Sequence, residues 1–178
     1  MPFPHFRQRF FAALIALFSG ALAPVPAYAA DETGAASGLP LPRFVSLKAD
    51  KVNLRAGPTR EHDVTWVFTR IGLPVEITAE SENWRRIRDS EGTEGWVYHS
   101  LLSSRRTALV APWSKNKESF PLYESNSASA RVSAQMQAGV LASVKNCDKK
   151  WCRIFGDGFD GYIEQERLWG VYPNETVE

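Results

Sequence analysis

The strongest constraint on this chain is that its second half repeats its first. "IGLPVEITAESENWRRIRDSEGTEGWVYHSLL", residues 71–102, lies over "AGVLASVKNCDKKWCRIFGDGFDGYIEQERLW", residues 138–169. Gly72 falls on Gly139, and Trp84 falls on Trp151 at the same distance from that glycine. Arg86-Ile87 falls on Arg153-Ile154. With one residue deleted in the turn, Gly95-Trp96-Val97 falls on Gly161-Tyr162-Ile163. A repeat of this kind means one small unit built twice. A unit of about 60 residues buries roughly 60 % of its unfolded surface and is marginal alone, so the copies are expected to pack together or to carry a covalent brace.

The units read as β-structure. "LPVEITAES" alternates, with Val75 and Ile77 on one face, and Pro74 stands at the strand's first position, where a missing donor does least harm. "VTWVFTRIG" is a β-branched and aromatic run, "NWRRIRD" and "EGWVYHSLL" flank the turn "SEGTEG", and "FVSLKADKVNLRAGP" is a further strand candidate closed at Gly57-Pro58. Short strands with frequent turns and no helical period predict an all-β protein. The segment "APWSKNKESF" is the expected join, although "RRTALV" also fits as a closing strand of the first copy.

The first thirty residues, "MPFPHFRQRFFAALIALFSGALAPVPAYAA", have a basic start, an apolar run and small residues at Ala27 and Ala29. They predict a secretory signal peptide over 1–29, cut after Ala29. The run is too short to cross a bilayer, which takes roughly 20 apolar residues, so no membrane span is expected after cleavage. "DETGAASGLPLPR" reads as a flexible linker over 30–43. The remaining expectation is a first domain over 44–110, a second over 111–172 and a C-terminal tail over 173–178.

The chain has two cysteines, Cys147 and Cys152, in "NCDKKWCR". A zinc site needs about four ligands, and the histidines that follow the leader, His62 and His99, both lie in the other copy. A thioredoxin-like pair wants C-x-x-C beside a βαβ unit. A cysteine nucleophile needs a histidine base. Export places the pair in an oxidising compartment. Residues facing each other across a hairpin bring their Cβ atoms within about 5.5 Å, near disulfide range. The pair is therefore expected as a disulfide, and no metal site is expected. The matching positions in the first copy are Glu80 and Arg85, opposite charges whose cross-strand ion pair is worth under about 1 kcal/mol if exposed.

The glycine-bounded strand, the W-x-x-[IV] spacing, the G-[WY]-[VI] spacing and the opening "VNLRAGPT" together resemble the bacterial SH3 domain. The resemblance spans nearly all of the chain after residue 43. It rests on Val52, Asn53, Leu54, Arg55, Gly57 and Pro58, then on Trp84, Gly95 and Trp96. The second copy keeps Leu122 and Tyr123 in "FPLYESNSASA" but lacks the Gly-Pro. The resemblance implies two tandem small SH3-like β-barrels in an exported bacterial protein. Relatives attached to wall-cleaving enzymes bind peptidoglycan, so it also implies a cell-wall peptide or glycan as partner. The alternative is a scaffold that binds an envelope protein.

Candidate ligand-binding residues are Trp66, Trp84, Trp96, Tyr98 and Arg55. Large rings are also what so small a domain uses for its core. Trp96 and Tyr98 share a strand face and can form a small platform. Asp89, Glu91 and Glu94 sit in a turn, unlike a carboxylate pair flanking a cleft. Neither G-x-S-x-G, nor a phosphate-binding glycine loop, nor H-E-x-x-H occurs. No catalytic residue and no cofactor is expected. A formal net charge of +1 gives no nucleic-acid footprint.

Overall fold

The structure is a computed structural model that describes residues 32–115 and 118–178. The signal-peptide reading over 1–29 lies outside the described residues. A short hairpin comes first, β1 (Glu32–Thr33) against β2 (Pro40–Leu41). Seven strands follow: β3 (Arg43–Leu47), β4 (Val52–Arg55), β5 (Val64–Phe68), β6 (Pro74–Ser81), β7 (Trp84–Arg88), β8 (Glu94–Tyr98) and β9 (Leu102–Ser103). Seven more make the second sheet: β10 (Thr107–Val110), β11 (Ser119–Tyr123), β12 (Val132–Gln137), β13 (Leu141–Asp148), β14 (Trp151–Gly156), β15 (Phe159–Glu164) and β16 (Leu168–Trp169). A last strand, β17 (Thr176–Val177), adds to β13.

The first sheet runs β5-β4-β8-β7-β6-β3-β9 and the second β12-β11-β15-β14-β13-β10-β16, so each strand of one has its counterpart seven places on. Every pairing is antiparallel. Among the described residues the helical content is two 3-10 turns, His99–Leu101 and Gln165–Arg167, also equivalent. Alternation along each strand fills two separate cores. Leu47, Val52, Leu54, Val75, Ile77, Ile87 and Val97 are buried in the first. Val110, Leu122, Val144, Ile154 and Ile163 are buried in the second.

The repeated glycines have physical causes. Gly72 and Gly139 sit at φ 79° and 78°, where a side chain is strained. Each donates its N–H back to the strand that opens its barrel, Gly72 to Leu47 O at 2.8 Å and Gly139 to Val110 O at 2.7 Å. Gly95 and Gly161 let two strands cross closely. A Cβ on Gly95 would lie 2.8 Å from Arg55 O, and one on Gly161 2.7 Å from Tyr123 O.

Several expected boundaries move. The single strand candidate at 44–58 is two strands, β3 and β4. The strand "TALV" opens the second barrel rather than closing the first, because β10 pairs with Leu141–Ser143 of β13. The join is therefore 104–106, and eight residues, 111–118, separate β10 from β11 where four, 48–51, separate β3 from β4. Residues 32–43 of the expected linker are structured. From Glu32 they form the hairpin, and Leu41 enters the first core. The C-terminal residues belong to the second barrel through β17 and through Glu175, which Arg106 grips at 2.7 Å.

The barrels meet along a packed joint. Thr107 Oγ1 donates to Gly72 O at 2.7 Å, and Ser46 Oγ to Arg105 O at 2.9 Å. Arg105 also donates to Ser143 Oγ, and Arg106 to Gly170 O at 2.8 Å. Phe44 packs between Trp169 (ring centroids 5.1 Å apart) and Tyr172 (4.7 Å). The Tyr172 hydroxyl donates to Glu76 at 2.9 Å. Burial, and then the charge of Glu76, push that hydroxyl well above the usual phenol range and hold it protonated as a donor.

Candidate functional site

Outward-facing residues of three neighbouring strands converge on the first barrel. On β4, Val52 and Leu54 turn inward, which leaves Asn53 and Arg55 outside. On β8, Gly95 and Val97 turn inward, leaving Trp96 and Tyr98 outside. β7 presents Trp84 opposite Tyr98. These rings meet edge to face, with centroids 5.4 Å apart and planes at 82°, an arrangement that ring quadrupoles favour.

Beside the pair lies a groove of about 560 Å³. Its charged lining is Lys51, Arg55 and Arg60, with no carboxylate among its lining residues. Arg55 Nη1 donates to the carbonyls of Arg60 (3.0 Å) and His62 (2.7 Å), which ties the 56–63 loop over the groove. The guanidinium carbon of Arg60 stands 6.0 Å from the centre of the Tyr98 ring. The result is a cationic rim on an aromatic wall, suited to a ligand with a carboxylate and an apolar or planar part.

Three of the five sequence candidates, Arg55, Trp84 and Tyr98, line this groove. Trp96 is on the same sheet face, opposite Arg55 and Arg86 in register, but is not among the lining residues. Trp66 is not brought to the site. It pairs with the inward-facing Leu54, so it belongs to the other sheet face, and it stands 54 % exposed on the edge strand β5. Lys51 and Arg60 are lining residues without a sequence signal beyond their charge.

The second barrel keeps the geometry and changes the chemistry. Tyr123 takes the Arg55 position, opposite Tyr162 as Arg55 is opposite Trp96. Glu164 takes the Tyr98 position, opposite Trp151. An edge-to-face pair survives as Tyr123–Trp151 (5.4 Å, 89°), its second ring now supplied from β11. Trp151 is buried, so this pair packs rather than faces a groove.

Cys147 and Cys152 are directly opposite in register and form a disulfide, both buried. Among the described residues no three His, Cys, Asp or Glu side chains gather as a metal site. Asp89 is spent on its own turn, where Oδ1 accepts the N–H groups of Glu91 and Thr93. It is buried rather than water-facing.

A family model for the bacterial SH3 domain matches residues 48–104 and again 116–170. The chain belongs to the bacterial SH3 domain family. Both matches begin just after the opening strand, so β3 and β10 precede the matched residues in each copy. No catalytic domain accompanies the two bacterial SH3 domains in that comparison. No curated protein matches the chain. Among solved structures it is similar to NlpC2 from Trichomonas vaginalis (14 % identity, TM-score 0.32, 72 % of this chain and 48 % of that one). It is similar also to NlpC1 from the same organism (14 %, 0.33, 76 % and 48 %). The chain thus spans about half the length of those structures.

Proposed function

We propose that this chain is an exported, non-catalytic binding protein of the bacterial cell envelope, and that its first barrel takes a wall peptide at Arg55, Trp84 and Tyr98. The observation that carries the reading is the groove itself, whose charged lining residues are all cationic and stand beside an edge-to-face aromatic pair. Stem peptides of peptidoglycan carry free carboxylates, which such a rim attracts. The leader-like sequence of 1–29 and the buried disulfide support export to the periplasm. The test is co-sedimentation with purified peptidoglycan sacculi. Retention of the wild-type protein and loss with Tyr98→Ala are expected, with no release of soluble muropeptides. Absence of wild-type protein from the pellet overturns the reading.

One observation favours a second reading, a scaffold for an envelope protein. The edge strand β5 leaves Val64, Trp66 and Val67 exposed with no strand on its outer side. Edges of that kind accept a strand from another chain. The equivalent β12 also exposes Val132 but has Ala134 and Gln135 where β5 has Trp66 and Val67. Cross-linking in envelope extracts that is lost with Trp66→Lys, together with no sacculus binding, decides for this reading.

A further inference from the structure

We propose that the cleft between the two barrels is a second ligand site, and that it takes a neutral N-acetylated carbohydrate about two rings long. This extends the wall-polymer reading by giving the sugar backbone a place apart from the peptide. The cleft encloses about 800 Å³, inside the range of about 300–1,000 Å³ typical of small-molecule sites. It is held open by the joint, since Phe44, Trp169 and Tyr172 on its walls pack against one another and Trp169 Nε1 donates to Pro74 O at 3.3 Å.

Its charges cancel. Arg88, Lys149 and Lys150 are balanced by Glu76, Glu164 and Glu166, and Arg88 is already paired with Glu76 at 2.5 Å. A site of this balance has no net field with which to select an ion, whereas the groove on the first barrel is cationic throughout. A charged peptide is drawn to the groove. The cleft offers the exposed ring of Trp113 and the partly exposed rings of Trp169 and Tyr172 to the C–H faces of a sugar, with charged side chains for its hydroxyl and acetamide groups.

Trp113 adds the most specific sign. It stands on the 111–118 loop, which the first barrel replaces by four residues and folds without. The ring is 53 % exposed and lines the cleft. A tryptophan the fold does not need thus shares a preformed concavity with three other aromatic rings.

The experiment is calorimetric titration of the protein with the β-1,4-linked trimer of N-acetylglucosamine. Saturable binding is expected, weakened about tenfold or more by Trp113→Ala and changed less than about twofold by Tyr98→Ala. Because Trp113 is exposed on an inserted loop, the variant keeps the wild-type thermal midpoint. No saturable binding below about 10 mM trimer overturns the proposal. So does an unchanged affinity in Trp113→Ala, or a loss in Tyr98→Ala that assigns the sugar to the groove. The groove reading fails on a different result: trimer binding intact, with Tyr98→Ala retained on pelleted sacculi as fully as the wild type.

Discussion

Glu80 and Arg85 face each other across β6 and β7 at the place where Cys147 and Cys152 face each other across β13 and β14. One position in the fold is closed by charge in one copy and by a covalent bond in the other. The disulfide satisfies two side chains and stops there. The C-terminal strand then adds beside it by backbone pairing, Val177 against Cys147. The carboxylate is a hub. Glu80 is ion-paired with Arg85 at 3.2 Å and accepts from Arg43 at 2.7 Å, from Ser37 Oγ at 2.6 Å and from the N–H groups of Ala36 and Ser37. Its side chain is 1 % exposed, so the small value of an exposed pair does not apply to it. A covalent brace gives local stiffness alone, whereas a buried charge recruits whatever donors can reach it, here the chain's N-terminal hairpin.

Removing the hub is the largest way to break this comparison. Glu80→Ala strands two arginines and two backbone donors, and is expected to destabilise the first barrel by about 4 kcal/mol, read by urea unfolding. A loss under about 1 kcal/mol would show the network to be decoration.

Acid tests the same hub without mutation. Burial alone would raise the Glu80 pKa. Hydrogen bonds from Ser37 and Arg43, and the charge of Arg85, outweigh it and lower the value from 4.5 to about 2. The fold therefore favours the ionised form. That contribution is complete above pH 4.5 and is lost as the pH falls toward 2, amounting to about 3 kcal/mol. In Glu80→Ala this acid dependence is expected to vanish from the unfolding curves. The disulfide carries no proton and keeps its effect across the same range.

Cys147→Ala with Cys152→Ala is expected to cost about 2 kcal/mol, the value for so short a loop in the chain-entropy model, read as a shift in the second barrel's urea midpoint. An unchanged midpoint would mean that packing around Ile154 and Ile163 suffices. Truncation after Glu175 has the smallest effect, under about 1 kcal/mol. It removes the β17 pairing and the packing of Val177 on the second core, and amide exchange at Cys147 and Asp148 should rise most.

The repeat makes much of this legible in sequence. Equal spacing from Gly72 to Trp84 and from Gly139 to Trp151 aligns β6–β8 with β13–β15, and that alignment already sets Glu80 beside Arg85. The hub's burial is not legible, because its donors lie 37 to 44 residues away in a segment whose glycines and prolines read as spacer. The place of β10 is hidden for a related reason. Loop 111–118 is twice as long as 48–51, which shifts the offset between copies and detaches "TALV" from its counterpart "RFVSL". In the groove, alternation places Arg55 and Tyr98 outward, since each follows an apolar inward residue, Leu54 and Val97, whereas Trp84 stands beside the charged Arg85 and is marked by the repeat instead. It misplaces Trp66, whose face depends on its pairing with Leu54 rather than on its own strand. Trp113 escapes because it sits in the insertion, where the first copy has nothing to align with it.

The joint has a consequence for anything that touches both barrels. Three residues, 104–106, separate β9 from β10; Arg105 is held on both sides, by Ser46 of the first barrel and Ser143 of the second, and Arg106 is held to the second through Gly170. A tandem on a loose tether gives up rotational freedom when it makes a two-point contact. Here that freedom is already gone in the folded protein. The two faces are presented at one fixed separation and angle, so a surface whose features match that spacing is met at no further entropic loss and one that does not is refused. The molecule is built as a gauge rather than a leash.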